Sequence, residues 1–214
     1  MRQPFHDQLD AIFDDLASIC SQVEVAVAQA TEALLESDAS IAEEVISKDD
    51  AIDRARERVE DSAFALLSLQ APVAGDLRVV VAALRMVSDL ERMGDLSVHV
   101  AKIARLRMPN SAVPEPVRPT ICRMAEVAED MVGRTAEIIR TRDVDAADLL
   151  RSDDDEMDKL RRSTFAEMLS NDWAFGIEAA VDLALLGRYY ERIADHAVSV
   201  AKRVIFVVTG ENPV

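Results

Sequence analysis

Leu90-Glu91-Arg92-Met93-Gly94-Asp95 and Tyr190-Glu191-Arg192-Ile193-Ala194-Asp195 are near copies of each other. The match continues through Val98/Val198, Val100/Val200, Ala101/Ala201 and Lys102/Lys202. Each copy carries a Glu and an Asp four residues apart. On a helix that spacing stacks both carboxylates on one face, one turn from each other. Repetition of such a pair, in a chain with little other chemistry, points to paired cation sites in a duplicated helical protein.

The surrounding sequence reads as helix. Leu9, Ile12, Phe13, Leu16, Ile19, Val23, Ala26, Ala30 and Leu34 recur in steps of three and four, the period of one long amphipathic helix. Asp38 or Ser40 caps a second helix, whose stripe is Ile41, Val45, Ile52, Val59, Ala63 and Leu66. Gln70-Ala71-Pro72 ends it, and a third helix spans about Asp76 to Arg107. Pro109, Pro114, Pro116 and Pro119 mark a linker, after which the pattern recurs. Ile121 to Ile139 reads as a fourth helix, a fifth follows a cap at Asp143, and Asn171-Asp172-Trp173 separates it from a sixth.

The expected fold class is all-α: two tandem antiparallel three-helix bundles arising by internal duplication, with six long helices in an elongated molecule. The boundaries are 1–108 for the first repeat, 109–120 for the Pro-rich linker and 121–214 for the second.

Composition narrows the function. A formal net charge of -16 argues against nucleic acid and anionic lipid as main partners, because both need a basic surface. It suits cations and basic protein surfaces. No apolar run approaches membrane-spanning length, and the first residues do not read as a signal peptide, so a cytoplasmic protein is expected. Cys20 and Cys122 lie in helical patterns far apart and read as reduced thiols.

On a helical wheel Glu91 falls inside the stripe of Val80, Ala83, Leu84, Val87, Val98 and Ala101, with Asp95 at its edge. Glu191 and Asp195 repeat those positions beside Ala184, Gly187, Val198 and Ala201. Burying a carboxylate costs several kcal/mol unless an arginine, a proton or a cation compensates. Asp49 and Asp53 on the second helix lie about as far before the Pro72 turn as Glu91 and Asp95 lie after it. At about 1.5 Å per residue the two pairs stand at one height in antiparallel neighbours. Asp154 and Asp158 repeat this about the Trp173 turn, and Glu24 and Glu129 reach the same level. Each half is therefore expected to gather four or five carboxylates into an all-oxygen site for Mg²⁺, Ca²⁺, Mn²⁺ or iron. The competing expectation is ion pairing with Arg54, Arg56, Arg92, Arg161 or Arg192.

The sequence resembles the PhoU family of phosphate-signalling proteins. The likeness is carried by Val87-Ser88-Asp89-Leu90-Glu91-Arg92-Met93-Gly94-Asp95, by Arg188-Tyr189-Tyr190-Glu191-Arg192-Ile193-Ala194-Asp195-His196, and by Asp76-Leu77-Arg78 leading into Ala83-Leu84-Arg85. The resemblance implies a cytoplasmic, all-helical, often dimeric protein that catalyses nothing and acts in two-component signalling. Such a protein is a negative regulator of phosphate uptake and of the phosphate-starvation response. It joins the ATPase subunit of the high-affinity phosphate ABC transporter to a PhoR-type sensor histidine kinase. It also implies multinuclear iron or zinc clusters on Glu91/Asp95 and Glu191/Asp195, faced by Asp49/Asp53 and Asp154/Asp158. Two departures stand out: Leu96 follows Asp95 where His is usual, and Lys102 and Lys202 replace acids.

Two other classes compete. A di-iron carboxylate bundle enzyme would use such acids, but usually adds Glu-x-x-His on two helices, which this chain lacks. A helical scaffold or chaperone would use no metal at all.

Overall fold

The computed structural model describes residues 2–150 and 154–211, without the side chains of 2–4 and 154. It contains α1 (Arg2–Glu36), α2 (Ala39–Gln70), α3 (Gly75–Arg107), α4 (Arg118–Thr141), α5 (Val144–Leu150), α6 (Asp154–Met168) and α7 (Gly176–Thr209). A short 3-10 turn, Glu115–Val117, precedes α4. No strand occurs among the described residues. The all-α expectation holds, and the expected fifth helix corresponds to α5 and α6, on either side of residues 151–153. Pro119, expected in the linker, instead lies in the first turn of α4, where its missing N–H is not needed.

Local chemistry sets the helix ends. The Asp38 carboxylate accepts from the N–H of Ser40 at 2.8 Å and of Ile41 at 3.2 Å, capping α2. Asp143 repeats the device for α5, accepting from the N–H of Ala146 at 3.0 Å. Ala71 takes a left-handed φ of 44° at the end of α2, and Pro72 follows where helix cannot continue.

α1, α2 and α3 pack on one another as one three-helix unit; α4, α5, α6 and α7 form the other. The units join along two seams, α1 on α4 and α3 on α7. Both seams are antiparallel. On the first, Arg142 pairs with Asp10, Cys20 Sγ lies 3.4 Å from the Val132 carbonyl, and Arg118 donates to the Leu35 carbonyl at 2.7 Å. On the second, Arg107 meets Asp182, Asp89 meets His196, and Arg78 donates to the Val207 carbonyl at 3.1 Å. Equivalent helices that cross antiparallel on both seams relate the repeats by an approximate two-fold axis.

The apolar stripes meet between the units. Leu16, Cys20, Val23, Met86, Leu90, Met93, Met124, Met131, Leu186 and Tyr190 are fully buried. Each such large side chain contributes about 1.5–3 kcal/mol by leaving water. The tips of the α2–α3 and α6–α7 hairpins differ: Phe64, Leu69, Val73, Leu77 and Val81 are exposed at one, and Phe165, Leu169, Ile177 and Val181 at the other.

Candidate functional site: two unequal acidic clusters

In the first repeat α2 and α3 bring Asp49, Asp53, Glu91 and Asp95 into one electrostatic neighbourhood. Asp49 is pushed up from 3.8 to about 6, first by burial and then by the charges of Asp95 and Asp53; Lys102 opposes and Glu91 adds to the rise. Glu91 is raised as well, by burial and then Asp95, against the pull of Arg92 and Arg56. Gly94 allows the close approach of the two helices. A Cβ there would stand 3.2 Å from Ile52 Cδ1 and 3.7 Å from Asp49 Oδ1. A cleft of about 550 Å³ between α1 and α2 opens beside Asp49, lined also by Gln22, Gln29, Lys48 and Val98.

Of the arginines near this cluster, Arg92 pairs with it and Arg56 is held mainly by Glu60. Arg56 Nη1 donates to both oxygens of Glu60 at 3.0 Å, one turn along its own helix. Arg92 donates to Asp95 Oδ2 at 3.0 Å and stands 3.7 Å from Glu91 Oε2, while its side chain stays 58% exposed. The result is a neighbourhood of four carboxylates with surplus negative charge, of which Asp49 lines the cleft.

The second repeat keeps the motif and changes its surroundings. Glu191 is buried, 8% exposed. Arg161 Nη1 of α6 donates to its Oε1 at 3.0 Å, and Arg188, one turn before it on α7, donates to its Oε2. Arg188 also lies 3.9 Å from Asp195 Oδ2, and Asp195 is raised by burial and by Glu191 despite that arginine. Asp158 is exposed and pairs with Arg162 at 3.3 Å. Asp154 lies outside the described side chains.

Three sequence expectations need correction or extension. First, Glu24 and Glu129 do not join the separate clusters; they face each other across the α1–α4 seam. A Cβ at Gly133 would stand 2.6 Å from Glu24 Oε1, and Glu129, one turn before Gly133, is raised by burial and then by Glu24. Second, Glu91 is not sealed in the core: its side chain is 22% exposed, against 11% for Glu191. Third, Arg188 was missed. Its signal was its place three residues before Glu191, where the first repeat has Ser88. Also missed was a link beside the motifs: Asp89 lies 2.9 Å from His196 Nδ1 and 3.3 Å from Arg203 Nη2. His99 is exposed and stacks on Tyr189 at 5.3 Å.

The first repeat's donor set, four carboxylates from two helices short of positive charge, suits a hard cation. Among the described residues, no three His, Cys, Asp or Glu side chains are gathered closely enough, as placed, to hold a metal ion. Among the described side chains of the second repeat, which do not include Asp154, both oxygens of the buried Glu191 already bind guanidinium groups.

An all-helical protein built from two three-helix repeats, each with a Glu-Arg-x-x-Asp segment against the helix before it, is the class so defined. The PhoU domain model matches residues 16–104 and 121–204, and the chain belongs to the PhoU family. It is 46% identical over 213 residues to the phosphate-specific transport system accessory protein PhoU homolog 2 of Mycobacterium tuberculosis, covering 100% of both chains. Homolog 1 of Mycobacterium leprae is 45% identical over 213 residues, with 100% of this chain and 96% of that protein covered. The crystal structure of PhoU from Pseudomonas aeruginosa has a TM-score of 0.88 at 26% identity, over 97% of this chain and 100% of that one. The PhoU of Streptococcus pneumoniae shares the fold, with a TM-score of 0.86 at 22% identity over 98% and 99% of the chains. These relatives are named as accessory or regulatory proteins of phosphate transport, and the family is not an enzyme family, as the sequence led us to expect. No helix among the described residues is long and apolar enough to cross a membrane.

Proposed function

We propose that this chain is an accessory regulator of phosphate uptake that represses the phosphate-starvation response when phosphate is plentiful. The observation that carries this reading is end-to-end similarity, 46% over 213 residues, to a protein named as a phosphate-specific transport system accessory protein. In finer detail, the chain is a non-catalytic cytoplasmic adaptor, acting as a homodimer. It links the ATPase subunit of the phosphate ABC transporter to a PhoR-type histidine kinase. The exposed apolar residues at both hairpin tips supply the kind of surface such docking requires.

Asp49, Asp53, Glu91 and Asp95 hold a metal ion in this reading, supported by their mutual charge and the cleft beside Asp49. Carboxylate oxygens suit Mg²⁺, Ca²⁺, Mn²⁺ or iron; zinc usually adds nitrogen or sulfur ligands. Deletion of the gene tests the regulatory role. Alkaline phosphatase and transporter expression should rise in phosphate-rich medium; unchanged expression would sink it. A pull-down with the transporter ATPase and the kinase tests the two partners.

A further inference from the structure

We propose that the second repeat carries its own counter-ion, the paired guanidinium groups of Arg161 and Arg188, and takes no metal. The inference deepens the cation reading of the first repeat, and rests on it only for the contrast between the two.

The two repeats align position by position. The offset that aligns Asp53 with Asp158 also aligns Arg56 with Arg161 and Glu60 with Phe165. In the first repeat Glu60 holds Arg56 through both of its oxygens. In the second, no carboxylate stands at that place. The Phe165 ring lies 5.5 Å from the Arg161 guanidinium carbon instead, and Arg161 reaches Glu191. The offset that aligns Glu91 with Glu191 aligns Ser88 with Arg188. Two changes, Glu to Phe and Ser to Arg, thus deliver two guanidinium groups to one buried carboxylate.

Those groups leave little for an ion to do. Glu191 spends both oxygens on arginine, Asp195 has Arg188 close by, and Asp158 turns to Arg162. A divalent ion needs the same carboxylate oxygens, and it would have to enter against two positive charges. The first repeat has no arginine at the position of Arg188, and its Arg56 is held by Glu60. The one arginine on its motif is the exposed Arg92, paired with Asp95 and 3.7 Å from Glu91, which leaves the other oxygen of Glu91 without a guanidinium among the described residues.

The full chain, stripped of metal with chelator, gives a readout that needs no ion. At pH 7, Glu191→Gln should lower Tm by several degrees, whereas Glu91→Gln should leave it unchanged or raise it. Equal losses in both variants would overturn the proposal. Mn²⁺ is then added. Wild type and Asp158→Asn should gain Tm alike, and Asp49→Asn/Asp95→Asn should gain nothing. Mn²⁺ stabilisation that survives in Asp49→Asn/Asp95→Asn and disappears in Asp158→Asn would also overturn it. Arg188→Ser with Phe165→Glu, which copies the first repeat, should add a second bound Mn²⁺ per chain by elemental analysis. If Mn²⁺ stabilises no variant while the metal-free pair differs as stated, the built-in counter-ion stands and the cation reading of the first repeat fails.

Discussion

Arg107, the last residue of α3, grips Asp182, near the start of α7, with two hydrogen bonds: Nε to Oδ2 at 2.5 Å and Nη2 to Oδ1 at 3.2 Å. The contact joins the two repeats just where the chain leaves the first. Asp182 is 4% exposed, so it has almost no water to fall back on. Asp182→Asn should lower Tm by about 4 °C or more, as expected for loss of a charge-assisted bidentate pair in a chain this long. Glu178 also pairs with Arg107, but its side chain is 84% exposed, and Glu178→Gln should change Tm by roughly 1 °C at most. Thermal denaturation of both variants checks the contrast.

Asp49 gives a pH signature. Its folded value of about 6 lies above its ordinary 3.8, so the folded protein binds the extra proton more tightly. The stability this lends is present at low pH and is lost as pH rises from about 4 to about 6. At pH 7, Asp49→Asn should therefore stabilise the metal-free protein, by about 0.5–1 kcal/mol once solvent screening is allowed for. Below about pH 4 the gain should vanish, because Asp49 is then protonated folded and unfolded alike. Urea melts at pH 3.5, 5 and 7 measure this.

A cation in the first repeat competes with protons for the same oxygens. Mn²⁺ should raise Tm more at pH 7 than at pH 5, since Asp49 titrates at about 6 between them. Asp95→Asn should weaken the effect at both values. Calorimetric titration at the two pH values gives the comparison.

The two cysteines should differ in reactivity. Cys20 is fully buried, with its pKa raised by burial and by Glu24, and its thiol donates to the Val132 carbonyl. Cys122 is only partly buried. A thiol-disulfide reagent should titrate Cys122 in the folded protein and reach Cys20 only on unfolding. Two equally fast thiols would contradict this packing.

Tyr190, inside the second motif, is fully buried and shares a hydrogen bond of 2.9 Å with the Thr31 hydroxyl on α1. Tyr190→Phe removes one hydrogen bond and leaves Thr31 bonded to the Val27 carbonyl. The expected loss is about 1 kcal/mol, read from denaturant melts.

How much of this was legible beforehand follows from what each signal encodes. Apolar periodicity marks which face of a helix is buried, and it gave the helices and their order. The Glu-Arg-x-x-Asp repeat and equal distances from the Pro72 turn brought Asp49, Asp53, Glu91 and Asp95 together. The same counting misled for Glu24. Height along a helix says nothing about azimuth, and Glu24 points across the seam toward Gly133 rather than into its own repeat. Arg188 was not singled out, because an i,i+3 neighbour can point to its motif or to water. The choice made by Arg161 depends on Phe165, a residue that carries no charge signal itself.

The exposed apolar tips and the acidic clusters are far apart on the same rods. From Val73 at the α2–α3 tip to Asp95 is 22 residues, mostly along α3, roughly 30 Å at the helical rise. The tip and the acidic cluster are therefore separate surfaces on the same helix. α3 is braced against α7 from Arg78 in its first turn to Arg107 at its end, so tip and acidic cluster ride on one continuously held rod.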